Sequence, residues 1–209
     1  MKKLCLFFQA TLSLLVQDLH GQGTFVYDQQ TSTESLPGEA ARGIQVSQPI
    51  GQSFTPLLSS VGFIRLQLFD INPGNGQGVM MSVNIRTNSI AGPILASSDT
   101  VSLVDGFPGN NTVGFVNFFF TSPPAISPGL TYYFQPVVQS GDAWAIGRFV
   151  LPNYPGGTEY INGQAGINDL WFREGIYVVP EPAGLALVAC GIVMCGLRRG
   201  MKRRNPCDS

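Results

Sequence analysis

Val79-Met80-Met81-Ser82-Val83-Asn84-Ile85-Arg86 decides the fold class of this chain. Successive side chains of an extended strand point to opposite faces. Val79, Met81, Val83 and Ile85 therefore share one side, and Met80, Ser82, Asn84 and Arg86 the other. That alternation is the pattern of a half-buried strand, and no helix would gather those four apolar residues on one stripe. The same period runs on either side. Ile64, Leu66 and Leu68 alternate with Phe63, Arg65 and Gln67, and Val116, Phe118 and Phe120 flank Asn117 and Phe119. The second of these is apolar on both faces, which predicts a strand covered on two sides. Tyr132 to Val138 reads as a further strand, with Pro136 pushing it toward an edge or a bulge.

Turn chemistry falls between these runs. Asn72-Pro73-Gly74-Asn75-Gly76, Phe107-Pro108-Gly109-Asn110, Ser127-Pro128-Gly129, Ser140-Gly141-Asp142 and Pro155-Gly156-Gly157 each combine residues that preset or tolerate turn dihedrals. No stretch outside the termini keeps a helical period over about ten residues. About nine or ten short strands with regular turns predict an all-β domain, an antiparallel β-sandwich of jelly-roll-like form.

The termini read differently. Lys2 and Lys3 precede an apolar run from Leu4 to Val16, the charged and apolar regions of a secretory signal. The small residues of Gly21-Gln22-Gly23 place cleavage before Thr24; an uncleaved N-terminal anchor is the alternative. At the other end, 15 uncharged residues run from Ala183 to Leu197. That is short for a transmembrane helix, which needs about 20 residues, but local thinning of the bilayer and snorkelling arginines accommodate such a helix. Arg198, Arg199, Lys202, Arg203 and Arg204 follow as a basic stop, which belongs on the cytoplasmic side and puts the rest of the chain outside. The reading is thus a signal at 1–23, a β-sandwich at 24–177 and a sorting segment at 178–209. Within the last, a motif occupies 179–182, a membrane helix 183–197 and a basic tail 198–209.

Val179-Pro180-Glu181-Pro182, an apolar helix and an arginine-rich end, in that order, resemble the PEP-CTERM sorting signal of Gram-negative-type bacteria. The resemblance covers about the last thirty residues. It implies that an exosortase recognises Pro180, Glu181 and Pro182 as a substrate motif and processes the protein at the envelope. The tail beyond the first arginine pair, ending Asn205-Pro206-Cys207-Asp208-Ser209, is longer than that pattern. Gln52-Ser53-Phe54-Thr55-Pro56, Ser82-Val83-Asn84-Ile85-Arg86-Thr87 and Leu130-Thr131-Tyr132-Tyr133-Phe134 resemble, in that order, extracellular bacterial sandwich modules. Those modules are similar in architecture to carbohydrate-binding modules, a likeness that implies fold more than function.

Composition narrows the chemistry. Cys5 lies in the signal, Cys190 and Cys195 in the apolar run and Cys207 in the tail, so the domain has no thiolate and no disulfide. The single histidine, His20, also lies outside it. Without His or Cys the domain has no Ser-His-Asp or Cys-His site and no imidazole- or thiolate-bound zinc. Between Thr24 and Pro182 there are five arginines, no lysine and eleven acids, a net charge of −6. That balance argues against nucleic acid, whose phosphates need clustered cations, and the missing lysine excludes Schiff-base chemistry.

Three possibilities remain for a ligand. Asp70, Asn72 and Asn75 on one turn and Asp105, Asn110 and Asn111 on another offer oxygen donors suited to calcium, although Asp and Asn favour turns without any ion. Trp144, Tyr154, Tyr160 and Trp171, among Asn153, Asn162, Asn168 and Asp169, offer rings that stack on sugars. Both tryptophans sit in strand-like runs that also suit a core, and Tyr154, beside Pro155-Gly156-Gly157, is the ring expected at the surface. A glycosidase would need two carboxylates about 5–9.5 Å apart across a cleft. The role expected from all this is a non-enzymatic, exported envelope or extracellular-matrix protein without a required cofactor. Its partners would be an exosortase-like enzyme, the membrane and an extracellular polysaccharide. A lectin-like glycan-binding module is the alternative, with a carboxylate-based glycosidase more distant.

Overall fold

A computed structural model describes residues 23–109 and 113–179. The expected signal helix, Pro180, Glu181, Pro182, the 183–197 span, the basic tail and the pair Asn110 and Asn111 lie outside the described residues. Among the described residues no helix is long and apolar enough to cross a membrane. Phe25–Tyr177 form one compact unit.

The described residues are all-β. In chain order the strands are β1 (Thr24–Gln30), β2 (Ala40–Gly43), β3 (Gly51–Phe54), β4 (Phe63–Asp70), β5 (Val79–Arg86), β6 (Ile94–Ser97) and β7 (Val101–Leu103). There follow β8 (Phe115–Phe119), β9 (Tyr132–Gly141), β10 (Trp144–Phe149), β11 (Glu159–Ile161), β12 (Gln164–Ala165), β13 (Asp169–Leu170) and β14 (Phe172–Val178). A single 3-10 turn, Gln45–Ser47, precedes β3. The fourteen strands of the described residues exceed the nine or ten expected because four of them, β7, β11, β12 and β13, are only two or three residues long.

The strands make two antiparallel seven-stranded sheets. One runs β1-β14-β4-β10-β13, with β2 also on β10 and β8 also on β4; the other runs β12-β11-β3-β9-β5-β6, with β7 also on β5. Their apolar faces meet in one core. The first sheet contributes Ile64, Leu66, Leu68, Val116, Phe118, Trp144, Ile146 and Phe172. The second contributes Phe54, Val79, Met81, Val83, Ile85 and Phe134. Each such side chain, fully buried, contributes about 1.5–3 kcal/mol through removal of apolar surface from water. The alternation read from 79–86 is thus the inward and outward parity of β5.

Two strand expectations change. In β8, Val116 and Phe118 face the core, but Phe119 on the other side stays about one-third exposed, its ring near those of Phe25 and Phe63. That outer face is covered only in part. Pro136 sits neither at an edge nor in a bulge: β9 is an inner strand between β3 and β5, with Pro136 opposite Val83. The physical reason is the length of β3, which pairs only Gln52, Ser53 and Phe54 with β9. The Pro136 carbonyl accepts from the Gln48 carboxamide at 2.9 Å on that side. N–H and C=O of one strand residue point the same way, so the missing N–H faces a gap rather than a ladder partner. The register irregularity of the β5–β9 ladder lies further along, between Met80 and Met81.

Candidate functional site

The outward residues of β5 and β9 stand in pairs: Ser82 opposite Val137, Asn84 opposite Gln135, and Arg86 opposite Tyr133. The chain ahead of β3 lays Gln45 and Gln48 beside them, and with Asn84, Arg86, Gln135, Val137 and Val138 these two wall a cleft of about 330 Å³. Its lining is neutral apart from Arg86: the amides of Gln45, Gln48, Asn84 and Gln135, with Val137 and Val138. No carboxylate lines it.

The amides form a fixed chain. Arg86 Nε donates to Gln135 Oε1 at 2.7 Å, Gln135 Nε2 to Gln48 Oε1 at 2.6 Å, and Gln48 Nε2 to the Pro136 carbonyl. Arg86 Nη1 donates to the Gly92 carbonyl, and Ser97 Oγ donates to Asn84 Oδ1 at 2.7 Å. Gln45 is pinned on both sides, its Nε2 donating to the Asp142 carbonyl at 2.6 Å and its Oε1 accepting from the Trp144 N–H at 3.1 Å. Side chains held in this way lose little further freedom when a ligand arrives. Tyr133 and Tyr160 meet edge to face, 5.5 Å between ring centres, on the same side of the sheet. Burial, with Tyr160 beside it, raises the Tyr133 hydroxyl above its ordinary 10.0, so it remains a protonated donor at neutral pH.

Of the four aromatic residues read from the sequence as a sugar platform, none lines this cleft, and only Tyr160, against Tyr133, shares its face of the sheet. Trp144 is 0% exposed in the core, stacked 6.0 Å from Phe107. Trp171 is also 0% exposed, its ring 4.4 Å from Phe115 and its Nε1 donating to the Leu36 carbonyl. Tyr154, expected at the surface, is 6% exposed. Its hydroxyl donates to Gln29 Oε1 at 2.9 Å and accepts from the Thr55 N–H at 3.1 Å. Burial pushes that hydroxyl up to about 12. The Gly156-Gly157 turn signal was real, but a ring that bridges Gln29 and Thr55 is an internal strut. The sequence reading missed Tyr133, Gln45, Gln48, Gln135, Asn84 and Arg86.

The calcium candidates among the described residues, Asp70, Asn72, Asn75 and Asp105, do converge, and Asp142 joins them. Asp70 Oδ1 accepts from the Asn72 N–H and Oδ2 from the Gly106 N–H, both at 2.8 Å. Asp105 accepts from the Gly74 and Gly76 N–H groups at 2.8 and 2.7 Å, both glycines at positive φ. The Asn72 and Asn75 carboxamides donate to Asp142. The Gly76 N–H, followed by that of Gly74, holds the Asp105 carboxyl below its usual value. The Ala143 N–H, followed by Asn75, does the same for Asp142. These oxygens are occupied in turn-forming bonds. Among the described residues no group of three or more His, Cys, Asp or Glu is placed to hold a metal ion.

The most buried acids lie away from the cleft. Glu159 pairs with Arg148 at 2.7 Å, and Asp169 accepts from Gln52 and from the Asn153 and Tyr154 N–H groups. Glu174 is 0% exposed, and neither of its oxygens has a hydrogen-bond partner in satisfactory geometry. No protein-family model, curated protein or solved structure matches this chain.

Proposed function

We propose that the protein is an exported, non-enzymatic component of a bacterial envelope or extracellular matrix, one jelly-roll-like β-sandwich carried by a C-terminal sorting signal. One observation carries the reading. Val179-Pro180-Glu181-Pro182, the apolar run and the basic stop follow directly on β14, the last described strand. A domain of net charge −5 over residues 24–177, without cysteine, lysine or histidine, suits a secreted role that needs neither thiol nor imidazole chemistry. The partners in this reading are an exosortase-like enzyme, through Pro180, Glu181 and Pro182, and the membrane, through 183–197. Fractionation of the native host carrying wild type or Glu181→Ala tests it. Wild-type protein outside the inner membrane and the variant retained in it is the expected result; equal distribution of the two rejects the motif.

A second reading is glycan binding, favoured by the cleft of Gln45, Gln48, Asn84, Arg86 and Gln135. Carboxamides both donate and accept, as hydroxyls do, and the pocket volume falls at the low end of the roughly 300–1,000 Å³ of small-molecule sites. The cleft takes over from the Trp144–Trp171 region as the place where such a ligand would sit.

A further inference from the structure

We infer that the cleft on the outer face of β5 and β9 binds a carboxylate-bearing saccharide, with Arg86 taking the carboxylate and the surrounding amides taking hydroxyls. The inference rests on the glycan-binding reading and adds a charge and an orientation to it.

Arg86 is the reason. Three of the domain's five arginines are neutralised by glutamates: Arg65 and Arg173 by Glu34, and Arg148 by Glu159. Arg86 is half-buried yet meets only neutral oxygens, Gln135 Oε1 and the Gly92 carbonyl. Those two bonds fix the plane of the guanidinium through Nε and Nη1 and leave Nη2 without a protein acceptor among the described residues. In a domain carrying −5 over residues 24–177, a cation held in a cleft without a carboxylate is a place for an incoming one. One N–H of Nη1 and both of Nη2 remain, enough for a guanidinium to take the two oxygens of a carboxylate, which a lysine would not match.

The neighbours point to a saccharide as the carrier. Asn84 Oδ1 is taken by Ser97, while its Nδ2 donates to no protein group among the described residues. The Gln48 and Gln135 nitrogens each use one of two N–H groups in the chain described above. Donors spaced along one strand pair suit the hydroxyls around a sugar ring. Val137 supplies an apolar patch of the lining, and Tyr133, directly opposite Arg86, pairs with Tyr160 to provide ring faces for the C–H side of a sugar. No deep apolar pocket is present there for a peptide side chain, which favours a uronic acid over a peptide carboxylate.

The test is calorimetric titration of the full chain, purified in detergent, with tri-galacturonic acid and with neutral galactotriose. Wild type, Arg86→Gln and Asn84→Ala are compared after thermal unfolding has verified that each is folded. Tighter binding of the uronate by at least about tenfold is expected, the ratio that one charge-assisted contact supplies. Arg86→Gln removes that preference, lowering affinity for the uronate more than for the neutral sugar, and Asn84→Ala weakens both. Should Arg86→Gln fail to fold, Arg86→Lys serves, with a reduced preference expected because the fork is lost. Equal affinity for the two sugars, no binding of either, or an unaltered preference in the Arg86 variant overturns the inference. None of these results bears on export, which fractionation decides separately.

Discussion

Glu174→Gln should make the protein more stable at neutral pH and flatten its pH dependence. Glu174 faces into the sandwich from β14, opposite Ile64 of β4 and in phase with the buried Phe172. Burial first, then the nearby Asp28 carboxylate, push its carboxyl from 4.5 up to about 9, against a smaller opposing effect of the Gln29 N–H. The folded state therefore keeps this proton through a range in which the unfolded chain releases it. Stability is full below the unfolded value and is lost as pH rises toward the folded one, at about 1.4 kcal/mol per pH unit. Between pH 5.5 and 7.5 the loss is about 3 kcal/mol, a large part of a typical domain's stability.

The other shifted groups lie outside that window. Glu34, Asp105 and Asp142 are shifted down, so their contribution is complete above about pH 5 and is lost only in acid. Tyr133 and Tyr154 are shifted up and lie well above it. The only histidine and all four cysteines fall outside the described residues. Glutamine keeps the shape of the protonated acid without its ionisation. At pH 7.5 the variant should exceed wild type by up to about 4 kcal/mol, and near pH 4.5 the two should agree within about 1 kcal/mol. Urea unfolding followed by tryptophan fluorescence reads this, since Trp144 and Trp171 are both buried in the native state. A wild-type stability that is flat or rising from pH 5.5 to 7.5, or a variant with the wild-type slope, would mean that Glu174 does not hold its proton in the folded state.

Arg148→Ala strands Glu159, which is 2% exposed, and should cost about 3–5 kcal/mol; a cost under about 1 kcal/mol in the same urea assay would mean that the buried pair does not hold β10 to the β11 turn. Arg65→Ala, whose partner Glu34 is one-third exposed and keeps Arg173, should cost less than Arg148→Ala in that assay. Because the Asp70 and Asp105 oxygens already accept backbone N–H groups, the thermal midpoint should be the same in millimolar calcium as in chelator. A rise of several degrees with calcium would show that the ion displaces those bonds.

The β5 and β4 strands were legible because one face of each is buried and the apolar period is unbroken from Val79 to Ile85 and from Ile64 to Leu68. Pro136 misled because its cost depends on where a partner strand stops, and the end of β3 is a tertiary fact. Tyr154 misled for a similar reason: a neighbouring turn says nothing about Gln29 and Thr55, both about 100 residues or more away in sequence. The cleft was hidden in positions that read as solvated strand faces. Gln48 and Gln135 are 87 residues apart, and no local pattern announces that they meet. Glu174 did carry a signal that parity makes available, since an acid in step with Phe172 and Ile176 must either turn the strand over or go inside.

The exported and sorted reading of the whole chain is tested most directly by the intact mass of the protein isolated from its own host. A mature species that begins near Thr24 and ends near Pro182 is the expected result. A mass corresponding to the full sequence, Met1 to Ser209, would contradict it.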